Sequence, residues 1–197
     1  MFIKADVAKA SDVEAMVATT VAAWGRLDCA FNNAGISGDA LIPTAEHTEA
    51  NWDAVLAVNL KGVFLCMKYQ IPEMLKAGRG AIVNNSSVFG LLGSTAGHAP
   101  YAASKHGVIG LSKSAAIEYA KLGIRINALC PGWTHSEMVD GALEAHPEVG
   151  TRITTVDVPM GRLADPVEIA RVAVWLCSDV AGYITGQAIA PDGGWTA

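Results

Sequence analysis

Short apolar runs alternate along this chain with segments of helical length, and that alternation restricts the fold more than any other feature. Phe2–Val7 (FIKADV) reads as the end of a strand, Leu27–Asn33 (LDCAFNN) as a near-continuous buried strand, and Ala81–Ser86 (AIVNNS), Ile124–Cys130 (IRINALC) and Thr185–Ala190 as further strands. Between them lie amphipathic stretches. One starts at Ser11, with Glu14 three residues on as a capping box, and runs to about Trp24 before Gly25. Others run from Glu49 to about Tyr69, from Tyr101 to Lys121 with Gly123 as the stop, and from Pro166 to Ser178, where a proline in the first turn suits the fixed φ. Pro131–Leu163 is rich in loop residues and is expected to hold a short helix. Strands that alternate with helices in this way predict an α/β fold, a parallel sheet wrapped by helices, in one domain spanning 1–197.

Composition agrees. Of 197 residues 51% are hydrophobic and 17% charged, which suits a sheet covered on both faces. A net charge of −5 argues against nucleic acid or an anionic membrane as the main partner. No uninterrupted apolar run reaches the ~18 residues of a membrane span. The N-terminus lacks the shape of a signal peptide, and Cys29, Cys66, Cys130 and Cys177 are widely spaced in apolar stretches; buried, reduced thiols and a cytoplasmic location are the expectation. The five histidines form no HxxxH or HExxH pattern, so no metal site is expected; His98 and His135 read as solvated loop residues, with a place in a substrate pocket as the alternative.

Tyr101 and Lys105 stand four residues apart on one helix face, roughly 5–6 Å between Cβ atoms. A phenol titrates near pH ~10. A neighbouring ammonium favours the phenolate, and a tyrosine so placed can exchange a proton with an alcohol. Ser86 and Ser87 finish a strand at the carboxyl edge, where open α/β sheets bind ligands. Asn59 lies mid-helix among apolar residues and must find partners; it either holds a water or ties two helices together. Asn32-Asn33-Ala34-Gly35 closes a buried strand with residues that permit a sharp turn and a close ligand.

Taken in order, Asp6-Val7, Asn32–Gly35, Asn59, Ser86-Ser87, Tyr101-x-x-x-Lys105, Pro131-Gly132 and Asp192-Gly193-Gly194 resemble the short-chain dehydrogenases/reductases, most closely their classical bacterial subfamily. The resemblance covers nearly the whole chain. It implies a Rossmann-like doubly wound parallel sheet and an NAD- or NADP-dependent oxidoreductase of CH–OH groups, interconverting a secondary alcohol and a ketone. It implies Tyr101 as general acid/base, Lys105 as the group that lowers its pKa and meets the nicotinamide ribose, Ser87 as the hydroxyl that orients the substrate oxygen, and Asn59 as the holder of a relay water. By the same resemblance Asp6 and Val7 meet adenine, and Asn33, Ala34 and Gly35 line the adenosine-ribose side. The segment Pro131, Gly132, Thr134, Ser136 meets the nicotinamide carboxamide. A small-molecule alcohol or ketone is the expected partner, in a homotetramer or homodimer paired through Asn51–Tyr69 with Tyr101–Lys121, and through Pro166–Ala190.

Three departures qualify the resemblance. The family's glycine-rich phosphate turn has no counterpart, nor does the residue that selects NAD or NADP; the sequence resembles the family from its third strand onward, so that two strands and two helices are absent. Either the sequence starts at an internal Met or the chain is short, and in the short form poor dinucleotide binding is expected. Leu27–Asn33 would then be a bare sheet edge. A catalytically silent fragment that acts by association is the alternative function. The interval from Ser87 to Tyr101 is one residue longer than the family's usual spacing, which keeps Ser86 open as the alternate and places the extra residue at 94–98. Ser136 stands where the family usually has Thr. Trp133, Met138, Val139 and Leu143 suggest an apolar lid over a pocket whose substrate is not legible: a cyclic or hydrophobic alcohol, a sugar and a diol all fit.

Overall fold

The β-branched and aliphatic runs assemble as parallel strands because each is apolar on both sides and must be covered twice. The computed structural model describes residues 1–197 except Thr95 and Ala96, and not the side chains of Met138 and Ala142. Strands β1 (Cys29–Asn32), β2 (Gly80–Asn85), β3 (Ile124–Leu129) and β4 (Ala188–Ile189) form one parallel sheet in spatial order β1-β2-β3-β4. Phe31 pairs with Val83, and Val83 with Asn127, so the carboxyl ends of β1, β2 and β3 come level.

Helices cover both faces. The helices are α1 (Ala10–Trp24), α2 (Glu49–Leu56), α3 (Gly62–Ala77), α4 (Ala99–Tyr119), α5 (Glu137–Ala145), α6 (Pro147–Arg152) and α7 (Pro166–Cys177). On one face Met67, Ile71 and Met74 of α3 and Ala115 and Ala116 of α4 meet Ile82, Ile124 and Ile126. On the other, Ala173 and Leu176 of α7 meet Val83 and Leu129. Ile82 and Val83 are adjacent and point to opposite faces, as the period of two requires. Beneath the β1 and β2 termini runs a buried polar chain: Asn32 Nδ2 donates to Asn84 Oδ1 at 2.8 Å, Gln70 Nε2 donates to Asn32 Oδ1 at 2.8 Å, and Asn84 Nδ2 donates to Ser112 Oγ at 2.9 Å.

Several expectations change. Phe2–Val7 is not a strand: no neighbouring strand offers it a ladder, and Phe2 is 89% exposed. As expected, β1 is an edge of the sheet. The Ser11–Glu14 capping box does not form. Lys9 is the N-cap of α1 without a side-chain bond, and the Asp12 carboxylate of the first turn instead accepts the Asp6 amide at 3.1 Å. The Glu49 helix does not stop near Tyr69. It runs through a π-turn at Ala57–Lys61 and past Pro72 to Ala77; Pro72 is exposed, where solvent can satisfy the carbonyl that loses its donor. Joined in this way, Glu49–Ala77 is long and apolar enough to cross a membrane by length and composition, with half of its most apolar stretch buried in this fold.

The insert holds two helices rather than one, α5 and α6, packed through Ile153, Val158 and Leu163 into a small core of their own. The last strand is shorter than Thr185–Ala190, because the Thr185 hydroxyl accepts the Ile126 amide at 3.1 Å in place of a ladder carbonyl. The cysteines are not uniformly buried: Cys66 and Cys130 are, Cys29 is exposed on the edge strand, and Cys177 is half-buried.

Candidate active site

The carboxyl edge of the sheet gathers most of the residues singled out above. β2 ends at Asn85 and hands the chain to Ser86 and Ser87. The Ser86 hydroxyl is turned inward and donates to the Lys105 carbonyl at 2.8 Å, which ties the end of β2 to α4. The Ser87 hydroxyl accepts the Phe89 amide at 3.2 Å and lies close enough to the Tyr101 phenol to favour its ionised form. The choice between the two serines is therefore one of direction: Ser87 faces Tyr101 and Ser86 does not.

Tyr101 and Lys105 share the inward face of α4, with the Lys105 ammonium 5.4 Å from the centre of the phenol ring. Lys105 Nζ donates to the Asn85 carbonyl at 2.8 Å. Burial drives its pKa down to about 8, a fall only slightly opposed by Cys130. The phenol departs from expectation: burial pushes the Tyr101 pKa up, and the Ser87 hydroxyl offsets part of that rise. Lys105 is drawn to Asn85 rather than to the phenolic oxygen, so the cost of enclosing a phenolate prevails.

Asn59 is wholly buried in the π-turn. Its amide nitrogen donates to the Ile36 carbonyl at 2.9 Å and to Ser104 Oγ at 3.1 Å, and its oxygen accepts the Ile36 amide at 2.8 Å. It pins the turn after β1 against α4. A Cβ on Gly35 would stand 3.4 Å from Asn59 Oδ1 and 3.5 Å from Lys105 Nζ, in ordinary contact with both, so Gly35 lies directly against the two polar groups.

Three hollows meet this edge. The first, of about 440 Å³, is bordered by Asn33, Gly35, Asn85, Ser87, Tyr101, Lys105, Pro131, Gly132, Thr134 and Ser136. The second, of about 200 Å³, shares Ser87, Tyr101, Pro131, Gly132 and Val139 with the first and is otherwise walled by Phe89, His98, Trp133 and Trp195 among others. Tyr101 and Ser87 thus lie on the boundary between the two. The third, of about 330 Å³, holds Val7, Asn33 and Ala34. Asp6 borders none of these hollows and is exposed, where the Ala8 amide it accepts holds its carboxyl below the usual carboxylate range.

Thr134 and Ser136 border the larger hollow, with the Thr134 hydroxyl on the Gly132 carbonyl at 3.0 Å and Ser136 Oγ accepting the Val139 amide at 3.2 Å. Of the expected lid, Trp133 and Val139 face the 200 Å³ cavity and Leu143 packs into the insert's own core. The Met138 side chain, and Thr95 and Ala96 within the loop assigned the extra residue, lie outside the described residues.

His98 is a cavity wall rather than a solvated histidine, and burial, with His47 nearby, holds it below the ordinary imidazole range. His135 is exposed and bonds Asp140 at 2.8 Å. Sequence reasoning passed over Phe89, Trp195 and Asn85. The signal for the first two was a large aromatic within two residues after each of two marked motifs, Ser86-Ser87 and Asp192-Gly193-Gly194. Asn85 Oδ1 is buried without a hydrogen-bond partner beside the larger hollow.

A family model described as enoyl-(acyl carrier protein) reductase matches residues 1–196. This chain is 43% identical over 197 residues to 2,5-dichloro-2,5-cyclohexadiene-1,4-diol dehydrogenase from Sphingobium indicum, covering 100% of this chain and 78% of that protein. The chain belongs to the short-chain dehydrogenase/reductase family. A second relative in this family, the 3-oxoacyl-acyl-carrier-protein reductase of Staphylococcus aureus, is 44% identical over 192 residues, 98% of this chain and 75% of that one. The structure of ElxO with NADP bound superimposes with a TM-score of 0.91 at 35% identity, over 99% of this chain and 77% of that one. Short-chain dehydrogenases/reductases are oxidoreductases dependent on NAD or NADP, and the doubly wound parallel sheet found here is theirs.

Proposed function

We propose that this short-chain dehydrogenase/reductase interconverts a secondary alcohol and its ketone, with Tyr101 as general acid/base, and that residues 1–197 work as one Rossmann-like domain. The observation that carries this reading is the convergence of the Tyr101 phenol, the Ser87 hydroxyl and the Lys105 ammonium at the boundary between a larger and a smaller hollow.

The larger hollow fits the nicotinamide half of a dinucleotide. It supplies hydroxyls at Thr134 and Ser136, the ammonium of Lys105, a buried unpartnered acceptor at Asn85, and at Gly35 a stretch of backbone open to a ligand. Asn33, Ala34 and Val7 continue toward the adenosine side. Pro131 and Gly132 face the carboxamide. Asp6 is proposed to meet adenine only at the outer rim. When bound, NAD or NADP supplies the hydride chemistry.

In the oxidation direction Tyr101 takes the alcohol proton, and in reduction it returns it. Ser87 donates to the substrate oxygen and stabilises charge that develops there. Lys105 keeps the phenolate form accessible by its positive charge and passes the proton to a water on the Asn59 side. Asn59 holds the Gly35–Ile36 turn in place for this path.

Two further inferences concern setting. Free thiols at all four cysteines favour a reducing compartment, the cytoplasm. Exposed Phe64 on α3 and Ile117 on α4 favour pairing with a second copy across these helices, and Val174, Val180 and Tyr183 favour a second contact that would complete a tetramer.

The test is absorbance of the reduced nicotinamide with a panel of secondary alcohols and ketones and either dinucleotide. Tyr101→Phe should lower turnover by about 10²–10⁴-fold. Turnover that survives this change overturns the assignment.

A further inference from the structure

We infer that the 200 Å³ cavity beside Tyr101 takes an uncharged ketone or alcohol carried on a compact, apolar six-membered ring, and that Trp195 is the residue that selects for that shape. The inference rests on the proposed alcohol–ketone chemistry and adds the substrate class.

From Tyr101 onward the wall of the cavity is a run of neighbouring aromatic rings. Tyr101 and His98 have ring centres 6.3 Å apart, and His98 and Phe89 again 6.3 Å. Phe89 sets its edge against Trp195 at 5.4 Å and against Trp133 at 6.3 Å, and Trp133 and Trp195 stack at 5.8 Å with planes 15° apart. The three contacts among Phe89, Trp133 and Trp195 are of the edge-to-face or stacked kind that aromatic rings favour, while His98 meets Phe89 and Tyr101 at tilted angles of 45° and 59°.

Trp195 is presented by a tied turn. The Asp192 carboxylate accepts the Gly194 amide at 2.9 Å, the Thr196 amide at 2.8 Å and the Thr196 hydroxyl at 2.6 Å. Gly193 and Gly194 both have positive φ, 67° and 92°, a path that residues with a side chain rarely follow. The turn folds the chain back over the pocket and delivers the indole into it.

Size, polarity and charge narrow the ligand. The cavity is smaller than the roughly 300–1,000 Å³ that drug-sized ligands occupy. Among the described lining residues no Asp, Glu, Lys or Arg appears; Ser87 and Tyr101 sit at the end shared with the nicotinamide hollow, and beyond it the polar groups are Ser37, His98 and the buried, unpartnered Nε1 of Trp133. A sugar would bring more hydroxyls than these few groups can pair, each costly to bury unpaired. An acyl thioester would bring a long chain and a charged carrier to a short cavity with a stiff wall. A cyclohexanone-sized ring fills the space, faces the aromatic arc and leaves its oxygen for Ser87 and Tyr101.

The test compares kcat/KM for cyclohexanone, butanone and acetoacetyl-coenzyme A in the wild type, Trp195→Ala and Trp195→Phe, alongside cyclohexanone binding read by saturation-transfer NMR. The wild type should prefer cyclohexanone to the thioester by about 100-fold or more. Trp195→Ala should lower kcat/KM for cyclohexanone about 10–100-fold, chiefly through KM, while butanone changes little and Trp195→Phe recovers most of the loss. Equal or better use of the thioester, or equal losses on ring and chain in Trp195→Ala, overturns the inference. If no ketone is turned over, the proposed reaction fails by itself: cyclohexanone binding that Trp195→Ala weakens still upholds the slot, and absence of binding overturns it.

Discussion

Strand β2 is followed by two adjacent serines whose hydroxyls point differently: Ser86 donates to the Lys105 carbonyl, whereas Ser87 lies on the side of the Tyr101 phenol and favours its ionised form. In the proposed reaction they separate cleanly. Ser87→Ala should lower turnover by about 10²–10³-fold and, by removing the hydroxyl that holds the Tyr101 pKa down, move the rising limb of alcohol oxidation to higher pH. Ser86→Ala should leave that limb in place and cost about 1 kcal/mol of stability on denaturant unfolding. Lys105 gives a second pH signature. Its folded pKa of about 8 lies below the ordinary lysine value of 10.5, so between these limits the unfolded chain binds more protons. Stability attributable to Lys105 therefore rises with pH across that window, by on the order of 3 kcal/mol in total. Measured against Lys105→Met with Cys130→Ala present in both proteins, which removes the thiol coupled to Lys105, stability of the chain that keeps Lys105 should climb relative to the variant from pH 8 to 10.5; a flat difference would contradict the assignment.

Helix starts show how one local signature can have two outcomes. Ser11-x-x-Glu14 and Asp165-x-x-Glu168 both have capping-box spacing. Only the second forms: Asp165 accepts the Val167 amide at 2.8 Å, and Glu168 accepts the Asp165 amide at 2.9 Å while held by Arg162. At α1 the Asp12 carboxylate takes the Asp6 amide, and the helix begins one residue before Ser11. Asp165→Ala should cost about 1 kcal/mol, and Ser11→Ala less than about 0.5 kcal/mol, in urea unfolding. The same competition explains other differences. Helix period and apolar spacing marked α4 and α7 well, and Gly25 and Gly123 ended their helices where expected. The π-turn around Asn59 left no local trace, because its cause is the distant Ile36 backbone. Phe2–Val7 had the residues of a strand and no strand to join.

Across the molecule, two groups of exposed apolar side chains bear on the proposed pairing. Ile117 on α4 is 81% exposed and Phe64 on α3 is 46% exposed, while Val180 and Tyr183 stand clear of the surface near the end of α7. If the proposed pairing is right, light scattering should give a multimer, and Ile117→Asp combined with Phe64→Asp should reduce the mass to that of a smaller assembly without loss of helical signal. A mass unchanged by both substitutions would remove α3 and α4 from the interface.

Periodicity alone determined that this chain would be a parallel sheet between helices, since buried strands and amphipathic helices each have a repeat that local sequence must carry. The order of motifs likewise determined the family, and with it pointed to Tyr101, Lys105 and the serine pair as the residues to test. What Tyr101 and Lys105 do to each other was decided only by the tertiary structure: Asn85 draws the ammonium aside, and enclosure raises the phenol. The same holds for the direction of each serine, the ties of Asn59 and the aromatic arc that joins Phe89, Trp133 and Trp195. These are contacts between residues far apart in the chain, and no repeat along the sequence records which distant groups will meet.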